Sequence, residues 1–426
     1  MSETMYLIKN VKLYTGESVY PDGAILTDGP SILYAGDAAK LTAPPLKGRK
    51  IDIIDGRGGI CMPGLCSAHS HVAMTLLRGV GGGLPLGEWL QRIFTVEALL
   101  TDDDIYTGAT LAIMEYLRYG VTCFADMYFR ANGVLRAAHE AKIRANACVG
   151  AISASHVAEN EALFHEFDGE GELIRIYFGI HSEYATDKSV AHLAAETAQK
   201  LGAGMHVHVS ETSSEVEACR EQHGGKSPVE YLSDLGIFDV PTIAAHCVHV
   251  DEGDMAILAS HGVTVAHCPA SNMKLSSGAA PVAAMRAHGV NVAIGTDGPA
   301  SNNTLDMFRE MRLAALLSSL STRNPASLSA SDAIEMATVV GAKGAGFSEV
   351  GILRSGYAAD LIVINGAAPF MATERDVAED IVYAAAGGDV QMTMVGGQIL
   401  YINGNYTTID TERAIYEARA AMSRLL

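Results

Sequence analysis

The 426 residues carry a formal net charge of −19 at pH 7, with 49% hydrophobic and 19% charged side chains. A chain this long and apolar buries a large core, and its negative charge opposes nucleic-acid backbones and anionic membranes, which both reward a basic footprint. No apolar run reaches the roughly 18 residues of a membrane span, and MSETMYLIKN enters an alternating pattern without a signal-peptide core. The expectation is a cytoplasmic protein with a small-molecule partner, no nucleic-acid polymer and no membrane, with self-association into a homo-oligomer left open. The 7 cysteines show no CxxC spacing and read as buried, reduced thiols.

From Met5 to Asp55 the text is short strands and turns (LIKNVKLYTG, GAILTDG, SILYAG, KIDIIDG) with no sustained helical period. This predicts a small β-rich unit over 1–57. Over 58–355 short apolar runs alternate with helical stretches: CMPGLCSAH, VTCFADM, RANACVG, IRIYFGIH, GMHVHVSE, TIAAHC, VTVAHCP and VNVAIGTDG. A typical intervening helix is DDDIYTGATLAIMEYLRYG, opened by acidic residues that suit the positive helix end and closed by Gly120. Such alternation predicts an α/β fold, a (β/α)8 barrel of TIM type. The rival is an open doubly wound sheet, disfavoured because no phosphate-binding GxGxxG or GxxxxGK[ST] loop follows any strand. Over 356–426, ADLIVING, QMTMVGG and QILYING return to strands before a helix near Thr411 to Leu426. These strands are expected to complete one small β-sandwich with the N-terminal unit.

Chemistry-bearing residues recur where the apolar runs end. His69 and His71 sit two apart in CSAHSH, so a strand turns both rings to one face, which makes half a metal site. An HxH alone is weak in a chain with 15 His. Further runs end in His206 and His208, in His246, in His267 and in Asp297. Burying several imidazoles and a carboxylate unpartnered would cost several kcal/mol, and a shared cation removes that cost. Three His and one Asp suit zinc, with iron and manganese as alternatives. In a barrel the C-terminal strand ends are also where active sites form.

The blocks PGLCSAHSHVAMTLLRG, LPLGEWL, HVHVSET, AHCVHVDE, AHCPASNMKLSSGAAPV, GTDGPASNNTLDMFREMR and GYAADLIVI resemble the amidohydrolase superfamily. Within it they are most similar to the S-adenosylhomocysteine and methylthioadenosine deaminases, with triazine hydrolases as near relatives. The resemblance implies metal ligands at His69, His71, His208 and Asp297, and a catalytic group of Glu211, His246 and Asp297. It implies hydrolytic deamination of an adenine-type nucleoside (methylthioadenosine, adenosine or S-adenosylhomocysteine class) releasing ammonia. The alternative is a deaminase or hydrolase of another aminoheterocycle: guanine, a pterin, a pyrimidine or a triazine. A three-His, one-Asp ion leaves room for water, whose pKa it brings to about 7. Glu211 then suits the acid that protonates a ring nitrogen, His246 orients the water, and Asp297 relays a proton to the departing ammonia.

In FGIHSEY this chain has His181 where the binuclear members carry a bridging carboxylated Lys, so one ion per chain is expected and His181 is implied as a substrate contact. The Gly-rich stretch MTLLRGVGGGLPLGEWL reads as a lid or wall, with Trp89 either lining the pocket or packing under the loop. Glu97 matches the family's substrate-contacting Glu if one residue is deleted. Ser301 is expected among the substrate contacts too. A departure falls on Val149, where the deaminases usually place an Arg that reaches toward the substrate's sugar or tail; Arg130, just past the second strand in ADMYFRANG, is the candidate substrate contact that would supply the cation from a neighbouring loop, with an ordinary solvated Arg as the alternative. A non-catalytic metal-binding protein is a further reading, but it leaves Glu211 and His246 without a role.

Overall fold

The computed structural model describes residues 4–42, 50–373 and 375–425; positions 1–3 of the N-terminal pattern and the expected helix end at Leu426 lie outside the described residues. Parallel strands Leu65–Ser67, Val121–Tyr128, Arg144–Ala151, Phe178–Ile180, Met205–Val209, Thr242–His246, Thr264–His267 and Asn291–Ile294 stand side by side in that order. An extra short strand, Ile174–Ile176, leads into Phe178–Ile180 and pairs with Arg144–Ala151. The last strand returns to the first through the Ala68 N–H donating to the Ile294 carbonyl at 2.9 Å and the Asp297 N–H donating to the His69 carbonyl at 3.0 Å. The sheet is thereby closed into the expected barrel, one strand position for each apolar run.

Helices between strands begin and end where their side chains dictate. Asp102–Arg118 opens on a capping box in which the Thr101 hydroxyl accepts the Asp104 N–H while the Asp104 carboxylate accepts the Thr101 N–H. It ends before Gly120, which takes φ +80 at the turn into the next strand. The barrel interior is packed with small side chains (Cys66, Ala68, Cys123, Ala125, Met127, Cys148), and the outer faces of the strands pack under the helices. All 7 cysteines are buried and free. Among the described residues no helix is long and apolar enough to cross a membrane.

The strands of the two chain ends pair in one continuous mixed sheet: Asn405–Tyr406, Gln398–Ile402, Val390–Val395, Leu361–Ile364, Ile51–Pro63, Met5–Tyr14, Val19–Asp28 and Ser31–Asp37. N- and C-terminal parts meet where Leu361–Ile364 runs antiparallel to the end of Ile51–Pro63. The sheet also curls back on itself, because Ile32 N–H donates to the Tyr357 carbonyl (2.8 Å) and Ala359 N–H to the Pro30 carbonyl (2.7 Å). The sandwich is thus one sheet folded around a shared core of Ile8, Leu13, Ile25, Ile32, Leu361 and Met394. A buried two-pronged ion pair fastens it to the barrel: Arg144 Nε to Asp360 Oδ2 at 2.7 Å and Arg144 Nη2 to Asp360 Oδ1 at 3.0 Å. The terminal helix, Thr411–Leu425, packs on Asp102–Arg118.

Candidate active site

Barrel closure brings His69 and His71, His208, His246 and Asp297 together at the C-terminal strand ends. Ligating atoms of His69, His71 and His208, and of His69, His246 and Asp297, form two overlapping groups, each within 4.8 Å. Backbone strain gathers at the same rim: Ser210, His246, Cys247 and Asp297 have φ of 50, 73, 46 and 57. Non-glycine residues in this region cost of order 1–3 kcal/mol each and persist only where the surroundings hold them. Gly295 shows how tight the surroundings are, since a Cβ there would lie 2.9 Å from both the amide nitrogen and the carbonyl oxygen of His69.

The hydrogen bonds decide which ring nitrogens are free. His71 Nδ1 lies 2.6 Å from the Met127 carbonyl and His208 Nδ1 lies 2.7 Å from the His181 carbonyl. A carbonyl only accepts, so both Nδ1 atoms carry the proton and both Nε2 atoms present a lone pair. Those two Nε2 atoms face each other at 3.3 Å. Asp297 Oδ1 lies 3.4 Å from His71 Nε2 and 3.5 Å from His69 Nε2, and the latter is buried without a hydrogen-bond partner. Lone pairs and a carboxylate converging in a buried space repel one another unless a cation lies among them. The donor set therefore fits a divalent metal held by His69, His71, His208 and Asp297.

Electrostatics agree with that fit. Burial holds the His69 ring down to about 3 and His208 well below its usual value, so both are neutral and able to ligate. Burial alone would raise the Asp297 carboxyl, but the imidazoles of His69, His71 and His246 hold it well below the ordinary range. Its other oxygen, Oδ2, accepts hydroxyl bonds from Ser271 (2.5 Å) and Ser301 (2.7 Å). His206, two residues before His208, sits beneath the cluster with Nε2 2.8 Å from His69 Nδ1 and orients that ring.

Glu211 and His246 complete the floor. Glu211 Oε2 lies 3.8 Å from His246 Nε2, its Oε1 accepts the Ser277 hydroxyl at 3.0 Å, and burial pushes its carboxyl up. Burial alone would lower His246, yet the nearby Glu211 and Asp297 carboxylates bring it up, and its Nδ1 lies 2.8 Å from Asn272 Oδ1.

Above the floor is a pocket that opens to solvent. The Gly-rich stretch resolves into a short 3-10 segment, Val72–Leu77, a turn, and the helix Leu86–Glu97. Leu86, Trp89, Leu90, Phe94 and Glu97 of this helix all face the pocket, a stripe at helical spacing. Gly81 permits it: at φ +71, a Cβ there would come within 2.9 Å of the Trp89 ring. His181 lines the far side, its ring parallel to Phe129 at 6.0 Å between centroids.

Two expected substrate contacts lie elsewhere. Arg130 is not among the residues that line the pocket; its guanidinium is held by the Leu100 carbonyl at 2.5 Å and Asp102 at 3.3 Å. The Ser301 hydroxyl is spent on Asp297 Oδ2, which makes it a support of that carboxylate. Val149, the position singled out by the resemblance, packs outward under the helices, and its neighbour Gly150 faces the pocket. Residues the sequence reading passed over include Ser271, Ser277, Phe94, Phe129 and Tyr184. Only Phe94 had a signal, its place in the stripe that begins at Leu86.

The model of the amidohydrolase family matches residues 60–400. A 5-methylthioadenosine/S-adenosylhomocysteine deaminase of Pelotomaculum thermopropionicum is 40% identical over 417 residues, 96% of this chain and 95% of that protein. A 5′-deoxyadenosine deaminase of Methanosarcina mazei is 39% identical over 440 residues, 99% of this chain and 98% of that protein. An adenosine deaminase from Xanthomonas campestris, solved with bound zinc, superposes with a TM-score of 0.92 at 31% identity over 99% of this chain and 98% of its own. Converging His and Asp side chains at the strand ends of a closed barrel and full-length kinship lead to one assignment: the chain belongs to the amidohydrolase family.

Proposed function

We propose that this chain is a metal-dependent aminohydrolase that removes the amino group of an adenine-type nucleoside as ammonia, with one zinc ion held by His69, His71, His208 and Asp297. One observation carries the reading: Glu211 and His246 face each other at 3.8 Å beside four converging ligands, at the base of a largely apolar pocket. When bound, the ion supplies Lewis acidity and brings the pKa of water to about 7. The chain's own groups do the rest. Glu211, raised by burial and steadied by Ser277, holds a proton for the ring nitrogen that gains electron density as water adds to the amine-bearing carbon. His246 sits where its Nε2 can orient the attacking water, and Asp297 relays a proton to the leaving ammonia. Phe94, Phe129, Trp89 and His181 offer flat faces to a purine, and the buried Glu97 carboxyl accepts a substrate hydroxyl.

The same walls bear on the 5′ substituent. Their charged side chains are Glu97, Glu211 and Asp297, and among the described residues no Lys or Arg lines the pocket. A carboxylate tail would lose water there without a cation to replace it. Methylthioadenosine, 5′-deoxyadenosine and adenosine are therefore the favoured substrates over S-adenosylhomocysteine. An ammonia-release screen of zinc-loaded protein tests the reading. Turnover confined to guanine, pterins, pyrimidines or triazines, with none on adenine nucleosides, would sink it.

A further inference from the structure

Behind Glu211 lies a second pair of carboxyls that the chemistry above does not use. Glu211 precedes the helix Ser213–Gln222, which opens on a capping box between Thr212 and Glu215. Glu215 does more than cap: its Oε2 accepts the backbone N–H of Glu211 at 2.8 Å and that of Thr212 at 3.2 Å. Its other oxygen, Oε1, is buried without a partner. Facing it is Glu183, within hydrogen-bonding reach, from the loop that also carries the pocket residues His181 and Tyr184. Both Glu183 oxygens are buried, and the N–H groups of Glu183 and Tyr184 lie nearby without forming a hydrogen bond to them. Two buried carboxylates side by side repel, and three oxygens here lack a donor.

One shared proton resolves both problems. It belongs on Glu183, because two backbone N–H groups favour the ionised form of Glu215 and none bonds to Glu183. We propose that Glu183 and Glu215 form a one-proton clamp in which the Glu183 O–H donates to Glu215, and Glu215 in turn fixes the backbone of Glu211 and ties its loop to the His181 loop. The two residues are positioning residues, and the inference rests on Glu211 being the proton donor. Burial first, then the Glu215 charge, pushes Glu183 up to about 9. Other groups facing the pair are Glu211, Tyr184 on the same loop, Cys219 on the helix, Tyr231 on the next helix, and His246 and Cys247 at the end of the neighbouring strand. Burial raises Tyr184, Cys219, Tyr231 and Cys247 above their ordinary values, so Glu183 ionises before these phenols and thiols as pH climbs.

The test compares Glu183→Ala and the isosteric Glu183→Gln, both zinc-loaded, with the wild type on methylthioadenosine. Glu183→Ala should lower kcat about tenfold or more with little change in KM, since a displaced acid costs rate before binding. Glu183→Gln, whose amide still donates to Glu215, should recover most of kcat at neutral pH and lack the alkaline loss of kcat expected of the wild type as Glu183 ionises. A second readout needs no turnover. A raised acid contributes stability that is present below its ordinary 4.5 and is lost as pH rises through about 9, so the wild-type Tm should fall over that window and the Glu183→Gln Tm should fall less. Wild-type kcat, pH profile and Tm slope in Glu183→Gln together with unchanged kcat in Glu183→Ala would overturn the clamp. So would equal loss in both variants with no recovery by Gln. Near-normal turnover in Glu211→Gln would remove the proton-donor reading instead, leaving the Tm slope to decide whether the shared proton exists.

Discussion

On the pocket floor, His71, His208, His246, Glu211 and Asp297 are each held by a hydrogen bond to a carbonyl, an amide or a hydroxyl, whereas the wall built by Leu86–Glu97 is held by packing. Trp89 Nε1 and Glu97 Oε1 on that wall are buried with no hydrogen-bond partner among the described residues. Groups that must meet reacting atoms within a few tenths of an ångström need directional bonds, because small misplacements cost rate steeply. A wall that selects a ligand needs shape and polarity, and its unpaired polar atoms are available to substrate. Chemistry should therefore be brittle to change on the floor, and substrate preference graded on the wall.

The largest effect belongs to the ligand set. Chelation, or Asp297→Asn, should reduce bound metal below about one ion per chain and lower turnover by at least about a thousandfold. Two ions per chain by elemental analysis would contradict the mononuclear reading. Next comes Glu211→Gln, which removes the titratable proton but leaves the ligands intact. Metal content should persist while kcat drops at least about a hundredfold. On the wall the effects should be smaller. Zinc-loaded enzyme should show kcat/KM for methylthioadenosine roughly tenfold above that for S-adenosylhomocysteine, the loss expected when one charge-assisted contact is missing. Equal efficiencies would mean that the wall does not read tail charge. Smallest of all is Arg130→Ala, which should change kcat/KM for either substrate less than about twofold, as expected for a residue outside the site. A selective collapse on S-adenosylhomocysteine would show that Arg130 leaves Leu100 and Asp102 when that substrate binds.

Much of the floor was readable before folding. HxH at 69 and 71, His208 and Asp297 each follow an apolar run, and an abrupt change from apolar to ligating residues at a strand end is visible one strand at a time. The Trp89 and Glu97 placements also follow from one helix period once Leu86–Glu97 is recognised as a helix. Val149 was singled out by resemblance, and the pattern of its own strand could not say which way it faces: all of Arg144–Ala151 is buried, so no contrast between a wet and a dry face sets the phase of its alternation. Only the interior packing of Cys148 shows that Gly150, and not Val149, continues the inward face.

The sequence by itself determined the eight strand positions, the helix caps and the residues able to ligate, because these depend on period and on neighbours a few positions away. Tertiary structure decided which polar groups meet. Ring closure set Asp297 against His69, aimed the His71 and His208 lone pairs at one point, turned Ser301 onto Asp297, drew Arg130 to the Leu100 carbonyl and brought Glu183 up to Glu215. Those partners come from distant segments of the chain, and their choice is made only when burial removes water as the competing partner, which leaves each group to find its bond or its proton inside the protein.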